Sequence, residues 1–149
     1  MMRSLGSFFV VGLLLVQQPV KSVDGTNSEL IDGCMSVAPT KVAISQTATT
    51  KLISQVSAKT NYVCAITIVA AAAEIVNIVE GTGTTCGTGT VALVGSTTAA
   101  NGLSFAANGG WSGGDGHHTF IVGSGTNIDL CLTQNGTSRV SGFITYSQR

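Results

Sequence analysis

Side chains able to do chemistry are few in this chain, and most stand far apart. His117 and His118 are the only histidines, and Asp115 lies just before them. An aspartate beside an imidazole could hold a metal ion or move a proton. Neighbouring residues on a strand face opposite ways, so only one of these histidines could join Asp115. The trio therefore reads as a polar loop end, with Asp115 and His117 as candidate contact residues, and no nucleophile motif surrounds either histidine. Glu74 and Glu80 bracket the run EIVNIVE and read as its solvated ends, not as an acid–base pair. The loop GTGTTCGTGT at 81–90 lacks the Gly-Lys-Ser/Thr ending of a phosphate-binding loop, and no helical pattern follows it. It reads as a hairpin end pinned by Cys86. Asn135-Gly136-Thr137 fits a glycosylation sequon, but Asn-Gly between two strand patterns fits a tight hairpin turn better. Trp111, the single tryptophan, sits among glycines. It reads either as an anchor for a ligand or partner subunit or as a plug at the end of a sandwich. No catalytic set, metal site or cofactor site is expected.

Four cysteines stand at 34, 64, 86 and 131. Two disulfides among them allow three connectivities. No Cys-x2-Cys spacing suggests zinc. Side-chain facing narrows the choice. Cys64 shares a face with Ile66 and Ile68 and points inward. Cys131 lies opposite Ile128, Leu130 and Leu132, so it points outward or toward a covering loop, and Cys86 lies in such a loop. The expectation is a Cys86–Cys131 bridge worth about 2–4 kcal/mol, with Cys64 a buried thiol and Cys34 unassigned. Four reduced thiols in a cytosol-assembled protein are the alternative.

The elements that must position these residues are strands. KVAISQTATTKLISQVSAKTNYVCAITIV, residues 41–69, reads as strand, turn, strand, turn, strand, with apolar and polar residues alternating. Further strand candidates are 74–80, 91–94, 103–105, 117–122, 127–133 and 139–147, with the glycine-rich loop 108–116 around Trp111. Ala70 to Ala73 is too short a run for a stable helix and reads as a connection. About eight short antiparallel strands without amphipathic helices define an all-β fold. The expected architecture is a single β-sandwich, jelly-roll-like, over 40–149, preceded by an N-terminal arm.

Before that domain come two segments. Residues 1–22 hold a positive start, the apolar run FFVVGLLLV and a polar tail, the layout of a secretory signal with Val20 and Ser22 preceding a cut. The rival reading is a retained arm packed on a neighbouring subunit. The run is too short to span a bilayer. Residues 23–39 lack periodicity and read as a linker or extended arm.

Seven Lys/Arg balance seven Asp/Glu, and 9% of residues are charged. No basic stripe exists to neutralise phosphates, so nucleic acid is not an expected partner. With 44% apolar residues the chain can build a core. A surface so poor in charge has little repulsion to keep copies apart, which favours assembly.

Residues 39–149 resemble a family of small proteins encoded in tailed-bacteriophage and prophage genomes. The matching stretches are PTKVAISQTATTKLI, NYVCAITIV, VEGTGTTCGTGT, SFAANGG and DLCLTQNGTSRVSGFITYSQ. Cys64, Cys86 and Cys131 fall at the family's cysteine positions, and Cys34 lies outside the best match. The apolar start departs from the family pattern. The resemblance implies a virion structural component with no enzymatic residues to carry over. The expectation is a capsid decoration or cement protein, a homo-oligomer (a trimer on local three-fold positions), bound to the major capsid protein or other virion proteins at the capsid surface. A tail- or fibre-associated module that binds host glycans, and a secreted or periplasmic bacterial β-sandwich, are the alternatives.

Overall fold

A computed structural model describes residues 32–35 and 38–149. Readings that fall on residues 1–31, the signal-like segment above all, lie outside the described residues. In chain order the strands are β1 (Thr40–Gln46), β2 (Thr50–Ile53), β3 (Thr60–Ala70), β4 (Glu74–Thr82), β5 (Thr88–Val94), β6 (Leu103–Phe105), β7 (Gly110–Gly113), β8 (Ile121–Thr126), β9 (Asp129–Gln134) and β10 (Val140–Gln148). A single helical turn, Ala99–Asn101, precedes β6.

Two antiparallel sheets form. One runs β1-β10-β3, with β7 and β8 sharing the far edge of β3; the other runs β2-β9-β4, with β5 and β6 sharing the far edge of β4. Set aside β6 and β7, which join different sheets, and the eight remaining strands, ordered β1-β10-β3-β8 and β2-β9-β4-β5, have the wiring of a jelly roll. The three strands read in 41–69 are present as β1, β2 and β3, but β2 joins the other sheet from the one that β1 and β3 share through β10. One sequence reading changes: Asn135-Gly136 is not a hairpin turn, because β9 and β10 belong to different sheets and the chain arches between layers there. Periodicity finds a strand but is silent on which sheet it joins.

The inner faces supply the core. Ile44, Val63, Ile66, Ile68, Val140 and Ile144 from one sheet meet Ile53, Val76, Ile78, Leu130 and Leu132 from the other, all 2% exposed or less. Each such side chain contributes roughly 1.5–3 kcal/mol by leaving water. Ile66 pairs with Ile144 and Ile78 with Leu132 at the centres of the two sheets, so the widest apolar contact falls where each sheet has strands on both sides.

Polar side chains seal the ends of this core. The reading of Glu74 and Glu80 as solvated strand ends is wrong: they are 5% and 0% exposed. Both share the inward face of β4 with Val76 and Ile78, as period-two alternation requires. Glu80 reaches the opposite sheet, where its Oε2 accepts from the Ser124 N–H at 2.6 Å and from its hydroxyl at 2.9 Å. Gly123 makes room, since a Cβ there would stand 2.2 Å from Glu80 Oε1. Glu74 does the same at the other end, accepting the Gly136 N–H at 2.7 Å and the Ser138 N–H at 3.1 Å in the β9–β10 arch. These bonds satisfy backbone donors that the crossing geometry takes away from any ladder.

Glu80→Ala removes the buried acceptor of both Ser124 bonds, and hydrogen bonds to a charged group contribute about 1.5–3 kcal/mol. Urea denaturation should show that loss for Glu80→Ala and a smaller one for Ser124→Ala. A double variant no worse than Glu80→Ala alone would confirm that the two residues form one latch; additive losses would contradict it.

Candidate functional site

The sequence-derived contact residues converge on one corner of the sandwich. β7 carries Trp111 and Ser112 along the upper part of β3, where Trp111 pairs with Ile68. Trp111 thus lies on a strand, not in the glycine-rich loop expected for 108–116. It is half-buried against the core and stacks obliquely on Phe120, with ring centroids 5.8 Å apart. Gly113 is what lets those rings meet: a Cβ there would lie 2.5 Å from Phe120.

Residues 114–119 then fold down onto β3. The Gly116 N–H donates to the Cys64 carbonyl at 3.1 Å and the Phe120 N–H to the Val63 carbonyl at 2.8 Å. Gly114 has φ +79°, and a Cβ there would lie 2.2 Å from the Cys64 oxygen, so this descent requires glycine. The expected strand at 117–122 begins only at Ile121. His117 and His118 therefore sit on a bend, and the argument that a strand would split them does not apply. Asp115 Oδ1 accepts both histidine N–H groups, each at 2.8 Å, while its Oδ2 meets His118 Nδ1 at 2.7 Å. Those three bonds close the bend on itself. Among the described residues, no three His, Cys, Asp or Glu side chains gather as metal ligands.

The segment 32–35 is fastened to this corner. Asp32 accepts the Thr119 N–H at 2.7 Å and the Cys34 N–H at 3.0 Å, as well as the Thr119 hydroxyl. Gly33 lies against the Tyr62 ring, and its carbonyl accepts from Ser147. Cys34 is disulfide-bonded to Cys64. This corrects the reading of Cys64 as a free buried thiol. Cys64 is buried, but Val63 beside it takes the core position where the β3–β10 register shifts, and Cys34 belongs to no periodic segment, so facing rules offered no means of pairing them. The Cys86–Cys131 bridge is present as its facing suggested. Cys131 stands opposite Val79 on the outer face of its sheet, and the β4–β5 loop folds over both to bring Cys86 in.

Electrostatics here follow from those bonds. The His118 N–H and ring hold the Asp115 carboxyl far below the ordinary carboxylate range. The same hydrogen bond, then the Asp115 charge, raises the His118 imidazole. The Thr119 hydroxyl, aided by backbone N–H groups, lowers Asp32 against the effect of burial. At the start of β9, burial opposes ionisation of Asp129, but Lys51 at 2.8 Å and the Gln55 N–H lower its carboxyl.

A second feature went unseen in the sequence. Ala73, Glu74, Ile75, Ser104, Phe105, Asn135 and Gly136 line an open groove of about 340 Å³ beside the β9–β10 arch. It joins strands β4 and β6 to the arch, and only the sheet pairing reveals that these residues meet. Among the described residues no helix is long and apolar enough to cross a membrane. The fold defines the chain as a jelly-roll β-sandwich with two disulfides. Comparison with protein-family models, with curated proteins and with solved structures returns no match.

Because His118 is raised and Asp115 lowered, their bond is complete between about pH 4 and 6.5. It is lost as pH rises through the folded His118 value, or falls through that of Asp115. An NMR titration of the ring protons should place the His118 midpoint above 6.5 and return it toward 6.5 in Asp115→Asn. Equal midpoints for His118 in both proteins would show that the bend does not form in solution.

Proposed function

We propose that this protein is a non-enzymatic structural component of a bacteriophage particle, most simply a head decoration protein that binds across junctions between capsid subunits. The observation that supports it is the jelly-roll wiring of the two sheets, an architecture used by viral capsid and lectin domains. That is an argument from fold, so the site must agree with it. The polar corner around Asp115 is bonded to itself and presents no nucleophile with an activating base. Residues 39–149 resemble small phage and prophage proteins, and the chain has no net charge. Two disulfides suit a protein that works outside a reducing cytosol. A rigid wedge of this kind would stabilise a shell by mass action, since it binds the assembled lattice and not its separate subunits.

One observation favours a second reading, host-glycan recognition. The groove beside the arch sets the half-buried Phe105 next to the exposed Ser104 and Asn135, an aromatic side chain flanked by hydrogen-bonding groups of the kind sugars use. Trp111, the earlier candidate, is committed to the core edge and to Phe120.

Mass spectrometry of density-purified particles from the source strain should find this chain at a copy number comparable to the capsid protein. Particles without it, with the chain free in the medium, would overturn the decoration reading. Binding to host polysaccharide abolished by Phe105→Ala would favour recognition instead.

A further inference from the structure

The two lateral sides of the sandwich differ. On one side the edge strands are β1 and β2, and each carries a lysine. Lys41 lies 4.3 Å above the Phe143 ring, and Lys51 pairs with Asp129 at 2.8 Å. Lysine on an edge strand blocks sheet-to-sheet pairing, because an approaching strand would strip its ammonium of water.

On the other side lie β5 and β6, along the free edge of β4, and β8 and β7, along that of β3. No residue of these four strands is charged and none is proline. Three of the large apolar side chains most exposed among the described residues gather here: Val91 on β5 at 41%, Phe120 just before β8 at 43% and Val122 on β8 at 55%. Val91 pairs with the buried Glu80, so it faces the gap between the sheets that the Glu80–Ser124 latch closes. Val122 stands beside Tyr62. Edge lysines thus stand on one side of the sandwich and are missing from the strands of the other, where short strands and register shifts interrupt the edge instead.

We propose that the β5–β8 side is the surface through which two copies of this chain associate. Charge selects the occupant. An uncharged edge is complementary to itself, whereas docking by the β1–β2 side would bring Lys41 and Lys51 of two copies together. Within these four strands a strongly acidic or basic partner would find no counter-charge, and the exposed Asp115 carboxylate of the β7–β8 bend is already paired with His118. Antiparallel pairing about a two-fold axis also satisfies the free N–H and C=O groups of an edge strand with the same groups of its copy. With zero net charge, no long-range repulsion opposes the encounter. Such a contact makes pairs, not the trimer expected at a three-fold position. The inference rests on the reading of this protein as an assembling component, and names the surface that does it.

Light scattering on the full-length, disulfide-bonded chain, from low micromolar to near-millimolar concentration, tests this. The expected result is a reversible approach to twice the chain mass. Val122→Lys combined with Val91→Lys should weaken association by about tenfold or more. Ser45→Lys, exposed on β1, should leave it unchanged. Circular dichroism of the variants guards against unfolding. A monomer at every concentration, a trimer, or association that survives the double variant would overturn the proposal. A chain that is monomeric in solution yet present in particles would sink this inference alone; a dimer absent from particles would sink the reading of function alone.

Discussion

Everything in this molecule depends on β4 being buried on both faces. Its inward side chains, Val76 and Ile78, meet the opposite sheet at the middle of the core. Its outward ones are covered as well. Asn77, fully buried, accepts the Ser96 N–H at 2.6 Å and donates to Thr133 at 3.1 Å, which draws the loop 95–102 across the outer face. Gly95 and Gly102 permit this, since a Cβ on either would stand within 2.4 Å of the Asn77 amide oxygen. Val79 is capped by the Cys86–Cys131 bridge. A strand enclosed in this way can end in carboxylates only if each finds donors: Glu74 finds them in the β9–β10 arch and Glu80 in β8 of the opposite sheet.

The same constraint governs where the acidic side chains go. Five of the seven acids lie in described residues, and all five are consumed by structure: Glu74, Glu80 and Asp129 secure strand ends, Asp115 closes a bend and Asp32 fastens the segment 32–35. A carboxylate that accepts two or three hydrogen bonds from the backbone is poorly placed to take a proton from a substrate. Among the described residues the surface carries mostly hydroxyl, amide and scattered apolar groups, with a few exposed cations such as Lys41, Lys59 and Arg139.

The fold class was legible in the sequence because alternation survives wherever one face of a strand is buried. Cys86–Cys131 was legible for the same reason, as facing put Cys131 under a covering loop. Sheet membership was not. Asn135-Gly136 looks the same to a reader whether it turns a hairpin or an arch, and only the Glu74 carboxylate, 62 residues away, shows which it is. Charge at the ends of β4 suggested solvent, when the nearest donors lay on strands that are distant in sequence. Cys34 and Asp32 lie in a stretch without periodicity, so their ties to Cys64 and Thr119 had no local signature. Trp111 was misplaced because glycines on either side imitate a loop; here they make space for Phe120 and for close approach to β3.

Hydrogen exchange, followed amide by amide at neutral pH, tests the central claim that the sandwich is closed by its core and latched at its ends by buried carboxylates. The account predicts slow exchange in β3, β4, β9 and β10 and, with them, at Ser124, Gly136 and Ser138, whose partners are side chains and not a ladder. Fast exchange at those three amides while the central strands stay protected would contradict it, leaving the core to hold the sheets together without the latches.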